Sequence, residues 1–313
     1  MKLELAHFGS LISLVNHFNS ESRCRDFITE QRWHGTVVCP FCGCTHTYVC
    51  GNGDNQFKCS RCRKRFSCLV GTIFQNTKLP LQKWFMAMYL ISSHKKGIPS
   101  HQLSRDIDVC QKTAWFILQK VRTLFAQYDT TALDGEIELD EMYLGGRETN
   151  KHESRRTANT QGRSTKTKTP IFGMVERKGV ARAFKVENTR AETLLPIIKQ
   201  FCSESAQYFT DELSSYSCLD KEGLKRGVIR HGEKEYSRGN ISTNTIEGFW
   251  AHFKRMVFGT YHFVSPVYLQ RYIDEAVFRY NTRNVGEDER LADMLGKAIS
   301  VVTYKNVKTK NVA

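Results

Sequence analysis

The sequence lacks an apolar run long enough to cross a bilayer, and its acidic residues are too few to balance its basic ones. A transmembrane helix needs roughly 20 consecutive apolar residues; no stretch approaches that length, so we expect no membrane partner. Glu4 and His7 interrupt the first segment, which has no small-residue cleavage site; this argues against a signal peptide and predicts an amphipathic helix. The 46 basic residues outnumber the 32 acidic ones, and the net charge of +14 favours a nucleic-acid partner.

The 11 cysteines are odd in number and unevenly placed, with eight of them between Cys24 and Cys68. This distribution is unsuited to disulfides and typical of a metal site in a reducing compartment. We therefore expect a cytoplasmic protein. The 313 residues suffice for two or three domains, and the apolar (40%) and charged (25%) fractions are those of an ordinary globular chain.

Two Cys-x-x-Cys pairs, Cys39 with Cys42 and Cys59 with Cys62, are separated by 16 residues. Each pair places two thiolates on one side of a tight turn, and four thiolates complete a tetrahedral zinc site. Residues 35–70 are therefore predicted to form a zinc ribbon with a structural Zn²⁺. The spare candidate ligands are more simply interpreted as packing or free groups: Cys44, Cys50, Cys68 and His46.

A basic run beside the second cysteine pair comprises Arg61, Arg63, Lys64 and Arg65. Next to a zinc ribbon, such a run can contact DNA phosphates. It would be equally ordinary as a solvated face, and the sequence leaves both interpretations open.

Residues 71–130 are predicted to be helical and to contain a helix-turn-helix. An apolar helix starts near Pro80, and Ser100 is a candidate N-cap for a short helix that ends at Asp106. A turn then leads to a second helix with an apolar stripe at helical spacing. The residues of that helix that would face a DNA major groove are Gln111, Lys112, Thr113 and Phe116. The alternative is a three-helix bundle that only links two domains. It stays open because the turn has no glycine, which makes the helix-turn-helix signature weak.

From residue 131 the pattern follows the order of an RNase-H-like fold. The segments EIELDEMYL, IFGMVER and ARAFKVEN predict three antiparallel strands, followed by a helix, a strand, a short helix, a fifth strand and a long helix. We therefore predict a mixed α/β catalytic domain over residues 131–285, preceded by the zinc ribbon and the helix-turn-helix region. Residues 1–34 are predicted to be a helical segment, and residues 286–313 a helix with a basic tail.

Three acids lie on different elements of this predicted domain: Asp140 on the first strand, Asp211 at the end of the fourth and Glu247 on the last helix. The fold brings these positions to one edge of the sheet, where carboxylates can hold two Mg²⁺ or Mn²⁺ ions and cleave or join phosphodiester bonds. Each acid alone would more simply be a solvated charge. Other acids lie nearby, namely Asp134, Glu136, Glu138, Glu141 and Glu212. Asp140 is preferred to Glu138, which shares its strand face, because aspartate is shorter.

The last helix is predicted to have a core face and a site face. The core stripe comprises Ile246, Phe249, Trp250, Phe253 and Val257. Glu247 and Lys254 are two turns apart on another face. Glu247 can therefore point at the metals, while Lys254 and Arg255 offset phosphate charge. Asn244 is the rival for the third ligand.

The polar and basic segment 145–170 is predicted to be a mobile loop that contacts DNA, with disordered surface as the alternative. His231, His252 and His262 lie near the last helix in sequence, and a bystander role is favoured for each. His262 precedes a predicted helix start at Ser265–Pro266.

Most of the chain resembles one family of mobile-element proteins. The matching stretches are CPFCG, GTIFQNTKLPLQKWFMAMYL, LDEMYLGG, TDELSSY, NTIEGFWAHFKR, GTYHFVSP and YLQRYIDEAVFRYNTR. From about Phe27 to Arg283 the sequence is similar to the zinc-ribbon insertion-sequence transposases of the DDE superfamily, the group whose transposase domain is called ISXO2-like. These motifs are long and specific.

The resemblance implies a DNA transposase that binds terminal repeats and catalyses metal-dependent strand cleavage and transfer on double-stranded DNA. It would act by in-line transesterification as a homo-oligomer. The family's acids fall on Asp140, Asp211 and Glu247, with Lys254 as the downstream basic residue. Some members use an asparagine at the third position, which keeps Asn244 open. The alternatives are a non-catalytic DNA-binding regulator derived from a transposase and a nuclease that acts on hybrids.

Overall fold

The computed structural model describes residues 8–299 except 52–54, 127–130, 147, 159, 161–163, 234 and 236. The described residues form two compact units. One comprises those up to Leu124 together with those from Asn284 onward, and the other comprises Phe125–Arg283. None of the helices in the described ranges is long and apolar enough to cross a membrane. The start of the predicted amphipathic helix and the predicted basic tail lie outside the described residues.

The elements of the described residues alternate between helical and strand-rich regions. In chain order they are α1 (Leu11–His17), α2 (Glu21–Trp33), β1 (Thr47–Cys50), β2 (Gln56–Cys59), β3 (Arg65–Ser67), α3 (Leu81–Ser93), α4 (Ser100–Asp106), α5 (Gln111–Arg122), β4 (Glu136–Gly145), β5 (Lys168–Glu176), β6 (Ala181–Lys185), α6 (Ala191–Phe201), β7 (Gln207–Thr210), α7 (Ser217–Lys221), β8 (Lys225–Val228), β9 (Ser237–Arg238), β10 (Ile241–Ser242), α8 (Asn244–Met256), α9 (Leu269–Asn281) and α10 (Glu287–Ile299).

The first unit contains the zinc ribbon, an antiparallel sheet in the order β1-β2-β3. Its buried face carries Phe57 and Phe66, which pack edge-on against Trp33 at the end of α2. α2 begins after Ser20, whose hydroxyl accepts the N–H of Arg23 as an N-cap. A few aromatic rings are a small core for a sheet of such short strands, so a bound metal would add the missing stability.

The predicted helix-turn-helix consists of α4 and α5, joined by residues 107–110. The expectation that Ser100 is the N-cap of α4 is wrong, because Pro99 occupies that position and Ser100 is the first helical residue. The Ser100 hydroxyl instead accepts a hydrogen bond of 2.8 Å from the side chain of Gln111, which ties the two helices together. The apolar stripe of α5 is buried as predicted: Ala114, Ile117, Leu118 and Val121.

The C-terminal helix α10 is part of the first unit. Arg290 donates to the carbonyl of Ser92 in α3 at 3.2 Å, and the N–H of Ile73 donates to the carbonyl of Ala298 at 3.3 Å. One face of α10 is buried, at Leu291, Met294, Leu295 and Ala298. The helix therefore completes the core of the first unit, although the whole second unit lies between it and the other elements of the first unit in the sequence.

The second unit contains a mixed sheet in the order β6-β5-β4-β7-β8. β4, β5 and β6 pair antiparallel, whereas β7 is parallel to β4 and β8 is parallel to β7. This order agrees with an RNase-H-like domain, so the predicted fold class is confirmed. The predicted loop, residues 145–170, overlaps the end of β4 and the beginning of β5. Between these two strands, the described residues form short 3-10 turns at Glu148–Asn150 and Glu153–Arg155.

Helices cover both faces of this sheet. Alternate residues of β4 point to opposite faces: Ile137 and Leu139 pack with α6, whereas Met142 and Leu144 pack with α8 and α9. The predicted core stripe is buried throughout: Ile246, Phe249, Trp250 and Phe253 in α8, and Val257 directly after it. The α8 side of the sheet is therefore the side to which the even-numbered residues of β4 point.

Candidate functional site

Two aspartates meet where β4 and β7 lie side by side. In the parallel register Glu138 of β4 is paired with Phe209 of β7. Two positions beyond this pair lie Asp140, still within β4, and Asp211, which directly follows the end of β7. Carboxylate oxygens of Asp140, Asp211 and Glu141 lie within 4.8 Å of one another. Oxygen atoms of this kind are the donors that Mg²⁺ and Mn²⁺ prefer. The donor set therefore fits a divalent metal site at this edge of the sheet.

The carboxyl of Asp140 has a perturbed acidity. Its pKa is raised to about 7, first by burial and then by the nearby charges of Glu141, Asp211 and Glu247. The N–H of Glu141, which donates to Asp140 Oδ1 at 2.8 Å, lowers this pKa in part. A divalent cation would remove this repulsion by supplying positive charge between the carboxylates. The fold thus places several carboxylates close together, and a bound cation would balance their negative charge.

Glu141 belongs to this cluster, although its position in the sequence marks it only as one of the acids near Asp140. It lies on the other face of β4, where the hydroxyl of Tyr216 donates to its Oε2 at 2.9 Å. Tyr216 is fully buried, and burial followed by the charges of Glu141 and Asp140 raises its pKa well above the ordinary value. The phenol therefore stays protonated as a donor. This placement could not be predicted from the alternation of the strand, because alternation places residues 140 and 141 on opposite faces of the sheet.

Glu247 and Lys254 reach the same cleft from α8. The cleft has a volume of about 390 Å³ and is lined by Asp140, Glu141, Met142, Asp211, His231, Thr243, Glu247, Trp250, Ala251 and Lys254. The Glu247 carboxylate is not in the tight cluster; it accepts from the Thr243 hydroxyl at 3.2 Å and lies 3.5 Å from His231 Nε2. Its side chain is 51% exposed, which leaves room for another rotamer. Asn244, the rival ligand, is exposed and does not line the cleft.

α8 can approach the sheet closely because β5 has a glycine opposite Asp140. Gly173 is the cross-strand partner of Asp140, and a Cβ at this position would lie 2.5 Å from the ring of Trp250. The indole therefore occupies the space of the missing side chain. The contact holds the middle of α8, between Glu247 and Lys254, directly against β5, at the position that is paired with Asp140 of β4.

Glu138 holds the beginning of α8. Its carboxylate is completely buried and accepts from the hydroxyl of Thr245 at 3.0 Å and from the N–H of Ile246 at 2.9 Å. It also pairs with Nε of Arg177 at 2.7 Å. A carboxylate at a helix N-terminus satisfies free N–H groups and interacts favourably with the helix dipole. Glu138 is therefore the acid that positions the helix, while Asp140 on the same strand face points into the cleft.

Replacing Glu138 with alanine is expected to lower the free energy of unfolding by about 3 kcal/mol or more. The N–H of Ile246, the hydroxyl of Thr245 and the partly buried guanidinium of Arg177 would all lose this acceptor, at about 1–3 kcal/mol each. Replacing Glu136 with alanine is the matched control: it removes a carboxylate 3.1 Å from the same Arg177, but that side chain is 43% exposed. The control is expected to cost less than about 1 kcal/mol. Urea unfolding measures both, and equal losses would contradict the proposed role of Glu138.

The four ribbon cysteines form a second candidate metal site. The Sγ atoms of Cys39 and Cys62, and those of Cys42 and Cys59, are each 3.6 Å apart, and all four lie within 4.8 Å of one another. Sulfur atoms about 2.3 Å from a tetrahedral zinc have separations of this size. Burial raises the pKa of Cys39, but the N–H groups of Phe41 and Cys42 and the thiol of Cys62 outweigh it and lower that pKa to about 7. The donor set fits Zn²⁺.

The spare candidates remain outside the cysteine cluster, as interpreted from the sequence. The Cys44 thiol lies 3.8 Å from the carbonyl of His46, the Cys50 thiol donates to the carbonyl of Tyr48, and Cys68 is buried.

The residues predicted to contact DNA lie at the surface of their elements. In the first turn of α5, Lys112 is exposed, Gln111 is engaged with Ser100, and Thr113 Oγ1 is 3.1 Å from the thiol of Cys110. Phe116 is 38% exposed on the same helix. The exposed cations of the other predicted contacts are Arg61, Arg63, Lys64, Arg65 and Arg255.

Comparison with known proteins connects these sites to one family. Residues 19–65 match the model of the transposase zinc-ribbon domain, and residues 132–281 match that of the ISXO2-like transposase domain. An uncharacterized protein in transposable element ISH50 of Halobacterium salinarum is 31% identical, over 74% of this chain and 82% of that protein. An uncharacterized transposase-like protein of Haemophilus influenzae is 27% identical, over 32% of this chain and 80% of that protein. The chain belongs to the insertion-sequence transposases with a zinc ribbon and an ISXO2-like DDE domain.

Proposed function

We propose that this transposase binds the terminal repeats of its insertion sequence and catalyses strand cleavage and strand transfer at the cleft of the second unit. The observation that carries the proposal is the cluster of Asp140 and Asp211 oxygens in a cleft that Glu247 and Lys254 also line. Paired carboxylates at a sheet edge, with a cation two helical turns from a third acid, suit phosphodiester chemistry on DNA.

Asp140, Asp211 and Glu247 are the residues that would hold two Mg²⁺ or Mn²⁺ ions. When bound, such ions lower the pKa of an attacking water or 3′-hydroxyl and stabilise the leaving oxygen of an in-line displacement. Asp211 is preorganised for this role, since its Oδ1 accepts the N–H of Leu213 at 2.9 Å. Glu247 would complete the set by a side-chain rotation within the cleft. Tyr216 keeps Glu141 fixed at the rear of the cluster.

Lys254 and Arg255 would neutralise phosphates of the bound strand. Both side chains are exposed at the end of α8, and Lys254 lines the cleft. A positive charge next to the reacting phosphate stabilises the charge that develops in the transition state. In-line displacement by a hydroxyl needs no covalent bond between protein and DNA, and no nucleophilic side chain is required of this cleft.

Recognition of the element ends falls to the first unit in this proposal. The start of α5 would enter the major groove with Gln111, Lys112 and Thr113, while the ribbon cations Arg61, Arg63, Lys64 and Arg65 would contact phosphates. A structural Zn²⁺ on the four cysteines would keep the ribbon folded. Because transposition joins two element ends, we propose a homo-oligomer on DNA in the cytoplasm, at the nucleoid.

The experiment is a cleavage assay with the full-length protein and double-stranded DNA that carries the inverted repeats flanking its gene. We expect strand-specific nicks at the element ends in Mg²⁺ or Mn²⁺ and none in EDTA, followed by transfer of the 3′ ends to target DNA. A regulator derived from a transposase would bind the same DNA without cleaving it. A nuclease for hybrids would cleave RNA–DNA duplexes and ignore the repeats.

A further inference from the structure

Three large apolar side chains are exposed in the short segment that follows α8. Phe258 is 54% exposed, Phe263 is 73% exposed and Val267 is 75% exposed. Single exposed apolar residues are common on proteins. Here three of them lie in one segment that directly follows α8, the helix whose Lys254 lines the cleft, and exposed apolar clusters are typical of binding surfaces.

The base of this segment is fixed by a buried polar network. The hydroxyl of Tyr261 donates to both carboxylate oxygens of Glu275, at 2.8 and 3.0 Å, and Glu275 pairs with Arg279 at 2.7 Å. Glu275 and Arg279 are buried, and the ring of Tyr261 packs edge-on against Tyr272. These contacts hold the segment on α9, so the exposed rings project from a rigid base.

The backbone between the two phenylalanines is strained. After α8 the chain makes a π-helical turn over Val257–Tyr261, a form that occurs mostly at functional sites. His262 then has φ 60° and ψ −45°, and the N–H of Phe263 donates to the carbonyl of Tyr261 at 2.6 Å. This is the γ-turn with positive φ, which is rare because it is strained. Such strain persists only where surrounding contacts fix the backbone, and here its result is to direct Phe263 into solvent.

The charges around the exposed rings are positive. Lys254 and Arg255 are exposed on the last turn of α8, three to four residues before Phe258. Near the end of the segment, Nζ of Lys185 lies 3.4 Å from the carbonyl of Pro266. Flat apolar rings beside cations match a strand of nucleic acid, whose bases stack on aromatic side chains while its phosphates bind Lys and Arg.

We propose that Phe258 and Phe263 stack on unpaired bases of the DNA strand whose phosphates lie on Lys254 and Arg255. The inference rests on the proposed function, since it takes the strand to be the one held in the cleft. Bases of an intact duplex are stacked on each other and cannot cover these rings. The segment would therefore keep a few base pairs open beside the phosphate that reacts and present that phosphate as part of a single strand.

The test uses the full-length protein and two fluorescent duplexes of the same length, one fully paired and one with a short central unpaired segment. The wild-type protein is expected to bind the second duplex more tightly. Phe258→Ala and Phe263→Ala should each reduce this preference by about 5- to 150-fold, the effect of losing one stacked base. Their affinity for the paired duplex should be unchanged. Phe263→Tyr should retain the preference, because the aromatic face is kept.

Val180→Ala is the matched control, since it removes a 37% exposed apolar side chain at another position of the same unit. Two results would overturn the inference. The first is that the wild type and both alanine variants show the same preference for the duplex with the unpaired segment. The second is that the variants keep this preference but lose self-association in sedimentation experiments. The second result would identify the segment as a contact between copies of the chain. A wild-type protein that binds neither duplex would contradict the proposed function itself, and this inference with it.

Discussion

Asp211→Asn is expected to reduce Mg²⁺-dependent cleavage of the element ends by about a thousandfold or more while leaving DNA binding intact. Asparagine keeps the size of the side chain and an oxygen that can accept the N–H of Leu213, so the local structure is preserved. The substitution removes the negative charge that a divalent ion requires. Metal ions contribute several kcal/mol of transition-state stabilisation in such reactions, and each 1.36 kcal/mol is a factor of ten in rate.

Glu212→Gln is the matched control for this prediction. Glu212 is the adjacent acid, is exposed, and accepts the N–H of Gly232 at 3.1 Å without belonging to the carboxylate cluster. Its cleavage rate is expected to stay within a few fold of the wild type. Gel assays of cleavage and of binding on the same DNA separate the two properties. Unchanged cleavage by Asp211→Asn would refute the assignment of the cleft.

Cys39→Ser is expected to abolish zinc binding and, with it, the folded ribbon. The four-sulfur set loses one ligand, and structural zinc sites contribute about 10–16 kcal/mol to the folding of small domains. The ribbon core of Trp33, Phe57 and Phe66 is too small to replace that contribution. Zinc content by mass spectrometry should fall from one ion to none per chain, and affinity for DNA should fall because the ribbon cations lose their arrangement.

Cys44→Ser provides the control, because the thiol of Cys44 is close to the ribbon but outside the cluster. We expect one zinc per chain and unchanged DNA binding for this variant. Loss of zinc from Cys44→Ser, or retention of zinc and a folded ribbon by Cys39→Ser, would show that the ligand set is different.

The elements that carry the site could be predicted because each has a strong local signature. The stripe of Ile246, Phe249 and Trp250 has helical spacing, and its burial in α8 follows from that period alone. β4 alternates, and its position between β5 and β7 follows from the order of elements in the fold. The two cysteine pairs predict the zinc site of the ribbon, because the spacing of the ligands within each pair and the turn that joins them are local features of the sequence.

The partners of the acids could not be predicted, because they are contacts between distant parts of the chain. Nothing near Glu138 in the sequence indicates that it accepts from Thr245 and Ile246, more than 100 positions later. The same holds for Glu141 and the hydroxyl of Tyr216. Sequence spacing identified acids of the correct type, and only the packing separates the acid that positions α8 from those that lie in the cleft.

The segment after α8 shows how local signals can fail. Ser265–Pro266 has the composition of a helix start, but that prediction is wrong: the carbonyl of Ser265 accepts the N–H of Tyr268 in a turn, and α9 begins at Leu269. The strained γ-turn at His262 is fixed by the buried Glu275, which is contributed by the following helix. A long-range contact thus overrides the local preference of the backbone.

The most direct test of the proposed cleft is a crystal structure of the full-length protein soaked in Mn²⁺, with the ions located by anomalous scattering. We expect manganese bound to an oxygen of Asp140 and an oxygen of Asp211, with Glu247 rotated toward the ions. An Asp140→Asn crystal treated in the same way should show no manganese there. If saturating manganese left these carboxylates of the wild-type protein without an ion, or bound only elsewhere, the assignment of Asp140, Asp211 and Glu247 as metal ligands would be contradicted.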